Sequence, residues 1–530
     1  MMRDARYIRS DQEIKVPVHL NFGKFILDKI RVKNDELALI DGETGNKMTY
    51  RELTQYAVNL ASALLKAGIG VGDVVALCSE IRIENTAIII GIILTGATCI
   101  PIPMTVDEAE FPHRLQVVKP KLVITSKRFW DAYNDVIKQN DCVKSIIMID
   151  DVDLEMVTPI KSLISNDVNV TEFEPTKVQG QTDIAMIYFS SGTIGKPKGV
   201  YVNHLTYIAN CSVIDNFGDL KHRTMVCRGD YSYGYDNEMT FIFLTLGSTV
   251  VHYDQRPLVF LQCVQDYKVN AAIIYPSLIR EMTDKEHAAK FNLESIEYVY
   301  CSTSHLDADL KDRYLKKYPN VKTFELGHGM AETSFTASEH WGVPGLKKNS
   351  VGKLAPRIVA KVVDLTTREP LGPNQLGELC VEAQNVFNGY IGKDPSTYLD
   401  KEGFFPTGDL VYYDEDGYFY ITDRIKDVIK FNGHTMSPAT IEFSLLKHPA
   451  VEDAGVVGKD VPQFGPVPTA FIVKKPGIDI TEKELIDYIG YEFAGKMELR
   501  GGVIFVDEIP RTLFGKIKRR ALRNRLKAQV

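Results

Sequence analysis

Residues Ile184 to Phe189 form an apolar run of strand length that stops at Ser190-Ser191-Gly192-Thr193, with Gly195, Lys198 and Gly199 just beyond. A strand buried on both faces belongs to a parallel sheet covered by helices, so this run constrains the architecture strongly. The same texture recurs at 74–78, 121–125, 145–149, 249–252, 271–275, 297–301 and 322–326, mostly separated by stretches of helical periodicity. Thr49 is a suitable N-cap for one of them, a helix over 50–65. The fold class expected is therefore α/β with doubly wound sheets, whose ligands sit beyond the carboxyl ends of the strands. Segments 302–305 and 327–333 immediately follow predicted strands, as the 190–199 stretch does, which points to one composite site. Hydroxyls, glycines and Lys198 at such a place suit phosphate oxygens. The stretch is not a Walker loop, because Gly199 rather than Ser or Thr follows Lys198. A Ser/Gly-rich surface turn is the competing reading.

With 530 residues the chain is too long for one core and should divide into at least two domains. From about 350 the segments 351–364, 377–382 and 418–422 read as strands joined by turns such as Asp416-Gly417, a smaller β-rich subdomain. Beyond Asp423-Arg424 comes a compact mixed tail, giving an N-terminal domain over 1–422 and a C-terminal α+β domain over 423–530. Ser437-Pro438 marks a helix start in that tail, and a basic helix over 516–528 closes it.

A net charge of −7 argues against a nucleic-acid partner, which would need a basic face. Eight cysteines without C-x-x-C pairs suggest reduced thiols rather than a zinc ribbon or a disulfide framework. The uncharged segment 86–106 is interrupted by Gly91, Gly96, Pro101 and Pro103, so it reads as a buried helix running into a strand over 98–102, not a membrane span. The first seventeen residues lack a signal-peptide h-region and the last lack an S-K-L address, so the cytoplasm is the expected compartment; a monomer is expected as well.

The stretch 190–199 resembles the phosphate-loop signature of the adenylate-forming superfamily, which includes acyl-CoA ligases, 4-coumarate–CoA ligases and beetle luciferases. Four further segments fit that pattern in order: Gly327-His328-Gly329-Met330-Ala331-Glu332-Thr333, Phe405-Pro406-Thr407-Gly408-Asp409, Ile421-Thr422-Asp423-Arg424-Ile425-Lys426-Asp427 and Pro510-Arg511-Thr512-Leu513-Phe514-Gly515-Lys516. The resemblance spans about 21–526, and segments 361–364 and 499–503 look most like insect luciferases and their ligase relatives. It implies a small, mobile C-terminal domain and a reaction in two steps. A carboxylic acid attacks the α-phosphorus of Mg·ATP to give acyl-AMP and pyrophosphate, and a thiol, usually coenzyme A, then displaces AMP.

By that resemblance Ser190, Ser191, Gly192, Thr193, Gly195 and Lys198 hold phosphates, while Gly327 and Ala331 flank the nucleotide. Glu332 holds Mg²⁺, a cation that prefers carboxylate oxygen. Asp409 accepts from the ribose hydroxyls, Arg424 reaches ribose or phosphate, and Asp423 with Lys426 forms the hinge. Lys516 brings positive charge to the reacting oxygens during adenylation. Lys430 serves the later geometry, rotation about the hinge exchanging one lysine for the other. Tyr233, Gly234, Tyr235, His328 and Gly329 line the substrate pocket.

Four departures from the family pattern stand out. Ile194 and Ala331 each lack a hydroxyl, and Ser302-Thr303-Ser304-His305 replaces the Gly-Ala-Pro loop beside adenine. One lost hydrogen bond to a charged group costs about 1.5–3 kcal/mol, which weakens a site without abolishing it. Tyr233 stands where ligases and beetle luciferases carry a histidine, and a phenol donates a hydrogen bond but carries no positive charge near neutral pH. An aromatic or hydroxylated acid is therefore expected. The rival readings are a luciferase, in which the adenylate reacts with O₂ and emits light, and an inactive adenylate-binding homologue. Joint retention of Lys198, Glu332, Asp409, Arg424, Lys430 and Lys516 argues against the last.

Overall fold

Thr49 and Glu52 form a capping box that starts the helix Tyr50–Lys66, which packs against the helix Glu84–Leu94. The latter is buried from Asn85 to Leu94, and Thr98–Pro103 follows it as a strand, as the glycine and proline spacing required. These elements belong to a computed structural model that describes every residue except 1–5, 11, 13–15, 17–18, 107, 165–166, 191–196, 215–219, 255, 307, 342–344, 383–386, 432–433, 462–464, 494–497, 513–514 and 529–530.

Among the described residues two large sheets dominate. The first orders its strands Lys198–Asn203, Ile184–Ser190, Thr98–Pro103, Val74–Ser79, Leu122–Thr125, Ser145–Met148 and Thr158–Pro159. It is parallel except for the first pair. The second has nine strands, parallel from Thr323–Met330 through to Leu37–Asp41 and antiparallel at both ends. The helices Phe22–Ile30, Glu84–Leu94 and Gly234–Thr245 share one apolar core with strands of both sheets. That common helical layer fixes the sheets relative to each other and aims their carboxyl ends toward one cleft.

A five-stranded antiparallel sheet, ending in Phe404–Tyr413 and Phe419–Arg424, forms the β-rich part. The smaller C-terminal domain packs the helices Pro438–Lys447 and Glu482–Glu492 on the sheet Val451–Val461, Gly465–Lys474 and Val503–Phe505. Ile441, Leu445, Val456, Ile472, Leu485 and Ile489 form its separate core. Ser437 caps the helix Pro438–Lys447 through Thr440 N–H at 3.2 Å, the start that Ser-Pro signalled. All eight cysteines are free thiols, and no described helix is long and apolar enough to cross a membrane.

Four local expectations are corrected. The stretch 351–364 is not one strand: Lys353–Leu354 and Val359–Val363 are separated by Arg357 in the left-handed region at φ 73°. Gly327 to Met330 extend the strand Thr323–Met330 rather than forming a loop, because they pair with Ser334–Ser338. Lys198–Asn203 is an unforeseen strand, antiparallel to Ile184–Ser190. The final helix begins at Arg519, not Lys516, since the residues before it close a small hairpin with an Arg511–Ile517 bridge.

Gly352 ties the nine-stranded sheet to the five-stranded one: its carbonyl accepts from Phe419 N–H at 2.8 Å. It adopts φ +86°, and a Cβ there would lie 1.9 Å from the Ser338 carbonyl oxygen. Gly352→Ala should therefore cost about 3 kcal/mol or more through left-handed strain and a backbone clash. A thermal melt should show a clearly lowered midpoint; an unchanged one would contradict this account.

Candidate active site

Asp409 and Arg424 face each other across the paired strands Phe404–Tyr413 and Phe419–Arg424. Arg424 Nε lies 2.6 Å from Asp409 Oδ1, and His328 Nε2 lies 2.9 Å from Oδ2. Only 3% of the Asp409 side chain is exposed. Burial pushes its carboxyl pKa up, but the Arg424 charge, the His328 hydrogen bond and the Lys516 charge together hold it below the usual range. His328 was expected among the acyl-pocket residues; the structure seats it against Asp409.

Lys516 reaches the same place from the C-terminal domain. Its carbonyl accepts from Thr512 N–H at 2.7 Å, and Arg511, paired with Asp453 at 2.6 Å, anchors the hairpin that carries it. The side chain is crowded by protein yet open to the water of the cleft. Desolvation and then repulsion from Arg424 depress its pKa to about 8, with Asp409 opposing.

Glu332 is 5% exposed, and Tyr390 OH donates to its Oε1 at 2.8 Å. Burial, and after it the Glu332 charge, raises the Tyr390 pKa. Lys198 Nζ sits 4.9 Å from the centroid of the Tyr390 ring, so the cation, the phenol and the carboxylate form one stack. Tyr390 is fixed by a backbone bridge to Val200, on the strand Lys198–Asn203. Among the described residues no group of three His, Cys, Asp or Glu could hold a metal by itself. Glu332 fits a magnesium ion that takes most of its oxygens from phosphates and water.

One cleft of about 2410 Å³ joins these groups to an aromatic compartment. Ser190, Lys198, Gly327, Gly329, Ala331, Glu332, Asp409, Asp423, Arg424, Lys426 and Lys516 line the first part, and Tyr233, Gly234 and Tyr235 the second. Gly327 is obligatory here, because a Cβ would meet the Tyr300 hydroxyl at 1.7 Å. Tyr233 precedes the helix Gly234–Thr245, and burial raises its phenol pKa. Arg228 lies 5.4 Å from the centroid of the Tyr233 ring and is itself 2% exposed, paired with Asp236 at 2.7 Å. Tyr275 OH donates to the other oxygen of Asp236. Burial pushes the Asp236 pKa up to about 7 against the Arg228 charge. Asp423 instead accepts from Ser437 Oγ at 2.5 Å and Ala439 N–H at 3.2 Å, tying the Asp409–Arg424 strand pair to the first tail helix.

Ser191, Gly192, Thr193 and Gly195 of the phosphate stretch, with Ile194, lie outside the described residues. Lys430 lies on the strand Ile429–Phe431, and its side chain is likewise outside what is described. Tyr390, Arg228, Asp236 and Glu238 were missed by sequence reasoning. For Asp236 and Glu238 a signal existed: two acids interrupt an otherwise poorly charged helix. Tyr390 carried none.

An α/β body and a smaller second domain thus share one charged cleft, with Lys516 of the second domain beside the Asp409–Arg424 pair. The AMP-binding enzyme model matches residues 28–391, and the AMP-binding enzyme C-terminal domain matches 440–516. The chain belongs to this family of adenylate-forming enzymes, whose members include CoA ligases and luciferases. It is 31% identical to luciferin 4-monooxygenase from Photinus pyralis, over 92% of this chain and 90% of that one. It is 30% identical to a probable 4-coumarate–CoA ligase from Dictyostelium discoideum, over 94% of both. The crystal structure of ATP-bound MatB from Rhodopseudomonas palustris shares the fold, with a TM-score of 0.84 at 23% identity, covering 96% of this chain and 99% of that one.

The depressed Lys516 gives a pH prediction. A lysine is cationic below its pKa, so kcat/KM for a step that needs the ammonium should fall as pH rises through about 8. In Lys516→Arg, which does not titrate there, that descending limb should disappear from the ATP–pyrophosphate exchange profile. An alkaline limb shared by both proteins would refute it.

Proposed function

We propose that this chain activates a carboxylic acid as acyl-AMP at the expense of Mg·ATP and then passes the acyl group to coenzyme A. The convergence of Lys516, from the second domain, on the buried Asp409 and its partner Arg424 carries this reading. Asp409 exchanges its protein partners for ribose hydroxyls as the nucleotide enters, and His328 remains beside the sugar and base. Lys198 and the residues of the phosphate stretch bind the β- and γ-phosphates. Glu332 would hold the magnesium ion, which when bound neutralises phosphate charge.

The substrate carboxylate is oriented by the Tyr233 phenol, which stays protonated because burial opposes its ionisation. Its oxygen attacks the α-phosphorus, the P–O bond to pyrophosphate breaks, and Lys516 stabilises the charge that develops on the bridging oxygens. Rotation about the Asp423–Lys426 segment then withdraws Lys516 and brings Lys430 forward, and the thiolate of coenzyme A displaces AMP.

The likeness to luciferin 4-monooxygenases over nine-tenths of the chain supports a second reading, in which the adenylate is oxidised by O₂ with light emission. Both readings share the first half-reaction and differ only in the fate of the adenylate.

A panel of carboxylic acids with ATP and magnesium, trapped with hydroxylamine, should yield hydroxamates and support pyrophosphate exchange. Lys516→Ala should lower exchange by about a hundredfold or more, while thioester formation from supplied acyl-AMP and coenzyme A persists. Absence of exchange with every acid would defeat the proposal. Photon output without acyl-CoA would select the oxidative reading.

A further inference from the structure

Glu238 lies on the helix Gly234–Thr245 and lines the aromatic compartment of the cleft. It is 7% exposed, and no Lys, Arg or His among the described residues pairs with it. Asn210 Nδ2 donates to its Oε1, and Ser334 Oγ donates to the same oxygen at 2.8 Å. Asn210 also donates to Ser334 Oγ, at 2.7 Å. Both bonds therefore end on Oε1, and Oε2 accepts none from any described residue.

Oε2 is not among the enclosed unpartnered atoms, so it opens onto the cleft, and a mostly buried carboxyl placed this way presents one acceptor oxygen to whatever occupies the compartment. Apolar packing would have been served better by a leucine of similar volume. Burial pushes the Glu238 pKa up to about 7, with the Ser334 and Asn210 hydrogen bonds pulling it back. The wall around it is aromatic: Tyr188, Tyr207, Tyr235 and Phe335 line the same compartment. The Tyr235 hydroxyl is also buried and finds no partner among the described residues. Unused hydrogen-bonding capacity at Glu238 and Tyr235 thus lies in a mainly aromatic compartment.

We propose that Glu238 is a specificity-determining residue that accepts a hydrogen bond from an amino or hydroxyl group on the part of the acid remote from its carboxylate. Asn210 and Ser334 hold Oε1 and thereby aim Oε2 at that group. The substrate class is a donor-bearing acid with an apolar or aromatic body. Recognition by an otherwise unsatisfied acceptor discriminates sharply, because the analogue lacking the donor leaves the carboxyl unpaired. The assignment rests on the proposed binding of a carboxylic acid in this cleft.

Calorimetric binding without ATP separates the two ideas. Matched pairs of aromatic and aliphatic acids of graded length, differing only in hydroxyl or amino against methyl, are titrated into the wild type, Glu238→Gln and Glu238→Leu. In the wild type a donor-bearing member of at least one pair should bind about tenfold or more tightly than its methyl partner. Glu238→Leu should abolish or reverse that preference, and Glu238→Gln, which keeps size and polarity if the leucine variant fails to fold, should remove the preference for the amine. Equal binding within every pair, no binding at all, or preferences untouched in both variants overturns the assignment. Discriminating binding without pyrophosphate exchange for any acid would leave Glu238 in this role and overturn the adenylation reading instead.

Discussion

The architecture around the cleft depends on keeping one buried carboxylate ionised. Asp409 sits where water is nearly absent, and a carboxyl there would protonate unless cations and donors surrounded it. Arg424 supplies the charge from the neighbouring strand, His328 the hydrogen bond from the nine-stranded sheet, and Lys516 a further charge from the second domain. Three separate parts of the chain are thus drawn to one point by a single electrostatic requirement. The cost appears on Lys516, whose own pKa falls because the protein crowded around it desolvates the ammonium and Arg424 repels it. A lysine held in this way is reactive to its setting: an arriving phosphate would relieve the repulsion that depresses it.

Much of this was legible in the sequence because it rests on local rules. The apolar run before Ser190, the capping box at Thr49 and the Ser437-Pro438 helix start all appear where propensity and period put them. The interrupted segment at 86–106 likewise resolved into a buried helix and a strand. The misreadings fall where long-range pairing overrode local texture. By its sequence Gly327 to Met330 follows a strand rather than belonging to it, yet pairing with Ser334–Ser338 draws it in, with Gly327 against Tyr300 and Gly329 against the Ser334 carbonyl. Lys516 was read as the first turn of a basic helix, whereas the Arg511–Ile517 bridge pulls it into a hairpin. The motifs were visible because the chemistry fixes residue types at fixed spacing. Tyr390 was not, because an aromatic that orients a carboxylate leaves no pattern distinct from core filling.

The wall of the aromatic compartment obeys a different logic. Arg228, Asp236 and Tyr275 form a buried charged cluster, and Asp236 is pushed toward neutrality by the same desolvation that Arg228 counteracts. Such clusters seldom add stability compared with apolar residues of similar volume. Arg228 lies under the face of Tyr233, and Tyr233 begins the helix that carries Tyr235 and Glu238. The cluster therefore backs the Tyr233 ring, a neutral hydrogen-bond donor, with a permanent charge.

The two ends of the cleft consequently differ in electrostatic character. At the nucleotide end cations outnumber what Asp409 needs, an excess suited to a polyanion. At the other end Glu238 has hydrogen-bond donors but no cation, an imbalance of the opposite sign. A molecule with a carboxylate at one extremity and a hydrogen-bond donor at the other matches both ends at once, and it can do so in only one orientation. Under the proposed activity, that polarity would direct the carboxylate past the Tyr233 phenol toward Lys516. Complementary ends held apart by an aromatic wall thus add to the orientation that the Tyr233 phenol gives the carboxylate.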